Sequence, residues 1–103
     1  MPETIEKLVR TIRSRKGVDT KISYTSFLLS KGNEHCLNKL KEEFVELEDA
    51  IKNKKNTIHE SADVIYHLLV ALESAGINFD DVVAELKKRE NVSGFIEKKS
   101  RQL

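Results

Sequence analysis

One cysteine, one methionine and no tryptophan stand in a chain of 103 residues. The lone Cys36 can form no internal disulfide and cannot anchor a zinc site by itself. Disulfide and structural-metal scaffolds are therefore both excluded, and a reducing compartment is the default. Long apolar runs are missing too. The charge-free stretch Val64–Leu72 is far too short to span a membrane, so no membrane partner is expected. The segment Met1–Glu6 has neither the basic start nor the apolar stretch of a secretory signal, which points to a cytoplasmic protein. An excess of one charge is also absent. The 18 Lys and Arg against 17 Asp and Glu leave +1, which argues against a dedicated nucleic-acid binder. β-strand patterns are nearly absent, as are internal repeats, low-complexity tracts and linkers. What remains is a chain with 39% apolar and 34% charged residues, suited to one helical domain over 1–103 that closes in a polar tail at 91–103.

The near-zero balance hides a segregation of charge. Residues 1–41 hold 9 basic and 4 acidic side chains, 42–85 hold 3 and 11, and 86–103 hold 6 and 2. An acidic middle thus lies between two basic ends.

Helical periodicity runs through all three parts. Ile5, Leu8, Val9 and Ile12 form a first amphipathic stretch, with Gly17 as its terminator. Ser23–Leu29 forms a short second helix ending at Gly32. Leu37, Leu40, Phe44, Leu47 and Ile51 are spaced 3, 4, 3 and 4, which predicts a long helix over 34–54 with these five residues as its core stripe. Thr57 and Glu60 match a capping box at the start of a fourth helix that runs to Gly76. Between Ala62 and Leu72 that helix is apolar nearly all round, broken by Asp63 and His67. Asn78 caps a fifth helix through Leu86 and Arg89. The expected fold is all-α, a bundle of four to five helices. A helix apolar on every side must be covered on every side, so the bundle is expected to be completed by a homodimer.

The carboxylates fall at telling positions. On a helical wheel of about 100° per residue, Glu43 borders the core-facing stripe, Glu46 and Lys39 follow the same edge, and Glu42 points further outward. Glu60, Asp63 and His67 are spaced 3 and 4 and share one face of the fourth helix. Asp63 opens the most apolar segment of the chain, where an ionised carboxylate is costly unless it is paired or bound to a metal. Antiparallel packing of the two helices sets Glu43 and Glu46 opposite Glu60 and Asp63. Four converging carboxylates repel unless a cation sits among them, and an all-oxygen set suits Mg²⁺ or Mn²⁺. Blander roles compete: a solvated glutamate face, Glu60 as a cap alone, or Asp63 paired with Lys39 or an arginine. His67, on so apolar a face, is read as a hydrogen-bonded core histidine.

The order Glu42-Glu43-Phe44-Val45-Glu46 followed by Glu60-Ser61-Ala62-Asp63 is EExxE…ExxD, which resembles the motif of the all-α NTP pyrophosphatases, the MazG-like superfamily. Ser23-Tyr24-Thr25 with Leu28-Leu29 and Gly32 upstream, Lys39 before the glutamate pair, Tyr66-His67 after ExxD, Asp80-Asp81-Val82, and the Ser93–Arg101 tail narrow the resemblance. Together they are similar to the phosphoribosyl-ATP pyrophosphohydrolase family, over about Ile5 to Arg101. Three positions depart from the family pattern. Lys41 stands where glycine is common, Phe44 where alanine is, and Phe27 where lysine is. None is a proposed ligand.

The resemblance implies hydrolysis of phosphoribosyl-ATP to phosphoribosyl-AMP and pyrophosphate, the second step of histidine biosynthesis, by a Mg²⁺-dependent (or Mn²⁺-dependent) cytoplasmic homodimer. Carried over by position, Glu43, Glu46, Glu60 and Asp63 are the metal ligands. Glu42 or Glu46 activates the attacking water. A polyanionic substrate also needs cations near the carboxylates, and Lys39, Arg13, Tyr24 and Thr25 are the candidate substrate contacts. A housekeeping NTP or dNTP pyrophosphatase of the same superfamily shares the metal motif. A non-catalytic helical oligomerisation module, with the acidic patch as a docking surface, is the alternative from another class.

Overall fold

The computed structural model describes residues 3–90 and Gly94, and the expected polar tail otherwise lies outside the described residues. Five helices follow in order: α1 Glu3–Ser14, α2 Tyr24–Ser30, α3 Asn33–Asn53, α4 Thr57–Ser74 and α5 Phe79–Lys88. No strand occurs among the described residues, and no described helix is long and apolar enough to cross a membrane. The all-α expectation therefore holds, with boundaries within a few residues of those the sequence predicts.

Local chemistry explains the boundaries. Ser23 caps α2 by accepting from the Ser26 amide at 3.1 Å, and Asn78 caps α5 by accepting from the Asp80 amide at 3.0 Å. α1 ends at Ser14, before Gly17. The capping box at α4 does not form. Asn56, in the left-handed region, precedes the helix without a side-chain cap bond. The Thr57 hydroxyl instead donates backwards to the Ala50 carbonyl on α3 at 3.2 Å. That bond ties the two helices together and leaves the Glu60 carboxylate uncommitted to the backbone.

α3 and α4 form the dominant antiparallel pair, α1, α2 and α5 pack on α4, and α2 also touches α3. Their shared core holds Ile12, Leu28, Cys36, Leu40, Val64, Leu69, Val70 and Ala71, with Ile5, Leu8, Val9, Leu47 and Phe79 against its rim. Burying this set supplies the main driving force for folding.

The stripe expected on α3 is only half used. Leu40 is buried and Leu47 packs on the core, but Leu37, Phe44 and Ile51 are exposed. The small residues Cys36 and Ala50 are buried instead. On the wheel the buried face is thereby turned by about 50° from the centre of the five-residue stripe, towards Glu43. α4 behaves likewise. Val64, His67, Leu69, Val70 and Ala71 are buried, while Ile58, Ile65 and Leu68 remain exposed.

Candidate metal centre

The turn Lys54–Asn56 folds α4 back along α3, and both Lys54 (φ 54°) and Asn56 (φ 59°) adopt the left-handed conformation to make it that tight. Each turn of α3 then faces a turn of α4. Ala50 meets Thr57, Glu46 and Glu43 meet Glu60, and Glu43 also meets His67, about two turns beyond Glu60 on α4. Carboxylate oxygens of Glu43, Glu46 and Glu60 lie within 4.8 Å of one another, as do donor atoms of His59, Glu60 and Asp63. Glu60 belongs to both groups and so links Asp63 and His59 on one side with Glu43 and Glu46 on the other.

The electrostatics of this cluster are unfavourable as it stands. Burial, a hydrogen bond with Glu46, and repulsion from Glu46, Asp63 and Glu60 push the Glu43 carboxyl up from 4.5 to about 7. Burial and then the Glu46 charge also raise Glu60. One buried oxygen on each of Glu43 and Glu60 has no hydrogen-bond partner among the described residues. Buried carboxylate oxygens without donors call for a cation or for protons, and a divalent cation satisfies both groups at once. The carboxylates of Glu43, Glu46 and Glu60 are the kind of donor that Mg²⁺ and Mn²⁺ take.

Behind the carboxylates lies a support layer. Nε2 of His67 stands 3.6 Å from Oε1 of Glu43, and burial followed by the nearby Lys39 charge lowers the His67 pKa. Tyr66 and Tyr24 meet the His67 ring edge-on, with ring centroids 5.0 Å and 6.3 Å away. The Tyr66 and Thr25 hydroxyls share a hydrogen bond, which runs the chain of contacts back to α2. His67 is thus buried in the core as the sequence suggested, but its 3.6 Å contact with Glu43 is longer than a hydrogen bond.

The other expected site residues separate into two groups. Lys39 lies one turn before Glu43 and binds Glu42 at 2.9 Å. That pair lowers Glu42 and raises Lys39. Glu42 points outward as the wheel indicated, with 60% of its side chain exposed. Glu46 faces solvent beside Glu43 and Glu60. Tyr24 is exposed near His67, whereas Thr25 is half-buried and spends its hydroxyl on Tyr66. Arg13 is not brought to the cluster. It pairs with Glu73 at 3.4 Å, at the far end of α4, about 20 Å along the axis from Glu60.

Two neighbours escaped the sequence reading. His59 sits 3.2 Å from Asp63, and its spacing of four residues was the available signal. Lys55 lines the groove of about 310 Å³ that opens beside the cluster, together with Glu46, Asp49, Ala50, Asn53, Asn56 and Glu60. Its signal was its place in the turn that joins the two motif helices.

Residues 5–90 match the family described as phosphoribosyl-ATP pyrophosphohydrolase. Proteins named phosphoribosyl-ATP pyrophosphatase resemble the chain over nearly its whole length. That of Roseobacter denitrificans is 45% identical, covering 95% of each chain. That of Paracoccus denitrificans is 44% identical over 98% of this chain and 95% of its own. A third, from Dechloromonas aromatica, is 43% identical over 96% and 94%. A hairpin that gathers the EExxE and ExxD carboxylates, and this breadth of similarity, lead to one conclusion: the chain belongs to the phosphoribosyl-ATP pyrophosphohydrolase family.

Proposed function

We propose that this protein hydrolyses the α–β phosphoanhydride of phosphoribosyl-ATP, releasing pyrophosphate and phosphoribosyl-AMP, with a divalent cation held by Glu43, Glu46, Glu60 and Asp63. The single observation that carries the site is the pair of buried, unpartnered oxygens on Glu43 and Glu60 within a cluster of like charges. A cation held there supplies neutralisation of the charge that grows on the leaving pyrophosphate.

The chain's own residues supply the rest. That Glu46 faces both solvent and the cluster supports it as the residue that orients the attacking water and takes its proton. Glu42 is tied up by Lys39 and acts instead by holding that ammonium at the edge of the site. Lys39 on one flank and Lys55 on the other offset the repulsion between carboxylates and substrate phosphates. Tyr24 presents an exposed ring for the purine, and Phe27 stacks beside it at 6.4 Å. Thr25 positions Tyr66, and through it His67 and Glu43. Arg13 secures α1 to α4 within one chain, away from the carboxylate cluster.

The apolar residues left uncovered on α3 and α4 support a homodimer that buries Leu37, Phe44, Ile51, Ile65 and Leu68. A reducing cytoplasm suits the one buried thiol, Cys36. The reaction is tested by pyrophosphate release from phosphoribosyl-ATP beside a panel of NTPs and dNTPs, with and without Mg²⁺. Preference for free nucleotides would favour the housekeeping pyrophosphatase. Absence of all turnover, with no effect of cation on melting, would favour the oligomerisation module.

A further inference from the structure

His59 stands immediately before Glu60 and four residues before Asp63, so all three project from adjacent turns at the start of α4. Donors at positions i and i+4 of a helix are spaced to chelate one cation, as in helical zinc motifs. The distances agree. Nε2 of His59 lies 3.2 Å from Oδ2 of Asp63, and His59, Glu60 and Asp63 each offer an atom within 4.8 Å of the others. Neighbouring ligands of an octahedral cation with bonds of about 2.1 Å are about 3.0 Å apart, and opposite ones about 4.2 Å. Glu60 also contributes the buried oxygen that has no partner. The imidazole is 72% exposed, so core packing does not claim it.

We infer that His59 supplies a nitrogen ligand at the outer edge of the carboxylate cluster, to a cation position it forms with Glu60 and Asp63. It thereby biases that position towards transition-metal ions such as Mn²⁺ or Co²⁺ over Mg²⁺. The inference rests on the cluster being a cation centre. Carboxylates alone discriminate weakly among hard divalent ions, whereas an imidazole nitrogen favours the transition metals. The competing role is a solvent-exposed pairing of His59 with Asp63, which would contribute little to stability and nothing to metal choice.

The test uses the full-length protein and its His59→Gln variant, without substrate. Mn²⁺ and Mg²⁺ affinities are measured by calorimetry, and the Mn²⁺-loaded proteins are examined by pulsed electron paramagnetic resonance. The expected result is a ¹⁴N coupling in the wild type that disappears in His59→Gln. Mn²⁺ affinity falls about tenfold or more, on the scale of losing a metal-site residue, while Mg²⁺ affinity is unchanged. Mn²⁺ binding without a ¹⁴N coupling, or a coupling and affinity unaffected by the substitution, overturns the role of His59 and leaves the carboxylate centre standing. Failure of the wild type to bind Mn²⁺ overturns both.

Discussion

Glu43 concentrates the chemistry of the site in one side chain. It is partly buried, it faces three other carboxylates, and its carboxylate lies 3.6 Å from His67. Glu43→Gln removes a charge from that cluster while keeping the shape. Without divalent cation at pH 8 the variant is expected to be more stable than the wild type, by on the order of 1 kcal/mol, in a denaturant titration. Its pyrophosphate release from phosphoribosyl-ATP should fall by about two orders of magnitude or more. The pH dependence follows from the raised folded-state pKa. An acid that ionises near 4.5 when unfolded and at about 7 when folded contributes stability below 4.5 that is lost as pH rises to about 7. The stability gap between Glu43→Gln and cation-free wild type should therefore widen over that window, and saturating Mg²⁺ should narrow it. At this scale the sequence was most informative for the clustered carboxylates, because EExxE and ExxD spacings fix which of them share a helical face. It was least informative for Lys55, whose position depends on how the turn closes, and for Arg13, whose partner Glu73 is 60 residues away in the chain.

The α3–α4 hairpin is the element on which the site depends. Its turn holds Lys54 in a left-handed conformation that costs an L-residue with a Cβ about 1 kcal/mol. Lys54→Gly should relieve it and raise stability by about 0.5–1 kcal/mol, read as a higher denaturation midpoint with unchanged slope. Thr57→Ala removes the hydroxyl that reaches the Ala50 carbonyl and should cost about 1 kcal/mol. Because that bond sets the register between Glu46 and Glu60, weaker Mg²⁺ binding should accompany the loss. Helix identity and order were legible from apolar spacing. The local pattern Thr57-x-x-Glu60 was not decisive, because a tertiary acceptor on α3 competed successfully for the threonine hydroxyl. The facing of α3 was legible only in part. Five large apolar residues suggested one stripe, yet close approach of α4 selected the small side chains of Cys36 and Ala50 and turned Glu43 inward.

For the whole molecule, the uncovered Leu37, Phe44 and Ile51 on α3, with Ile65 and Leu68 on α4, are residues whose periodicity predicted burial and which one chain leaves in water. Their pattern was legible, but what covers them was not, since periodicity marks an apolar face without naming its partner. Light scattering of the purified protein should give a dimer, and Phe44→Glu with Ile51→Glu should convert it to monomer; a monomeric wild type would contradict the homodimer. The segregated charge acquires a meaning at this scale too. The acidic middle segment contains the four clustered carboxylates, while Lys39 and Lys55 approach them from either side. A cation and a polyanion can then occupy neighbouring positions on a chain of net charge +1. The most direct measurement is the rate of pyrophosphate release from phosphoribosyl-ATP by wild type and Asp63→Asn, with Mg²⁺ and with chelator. The account predicts turnover by the wild type that requires Mg²⁺ and is lost in the folded variant. Undiminished turnover in chelator, or in Asp63→Asn, would contradict it.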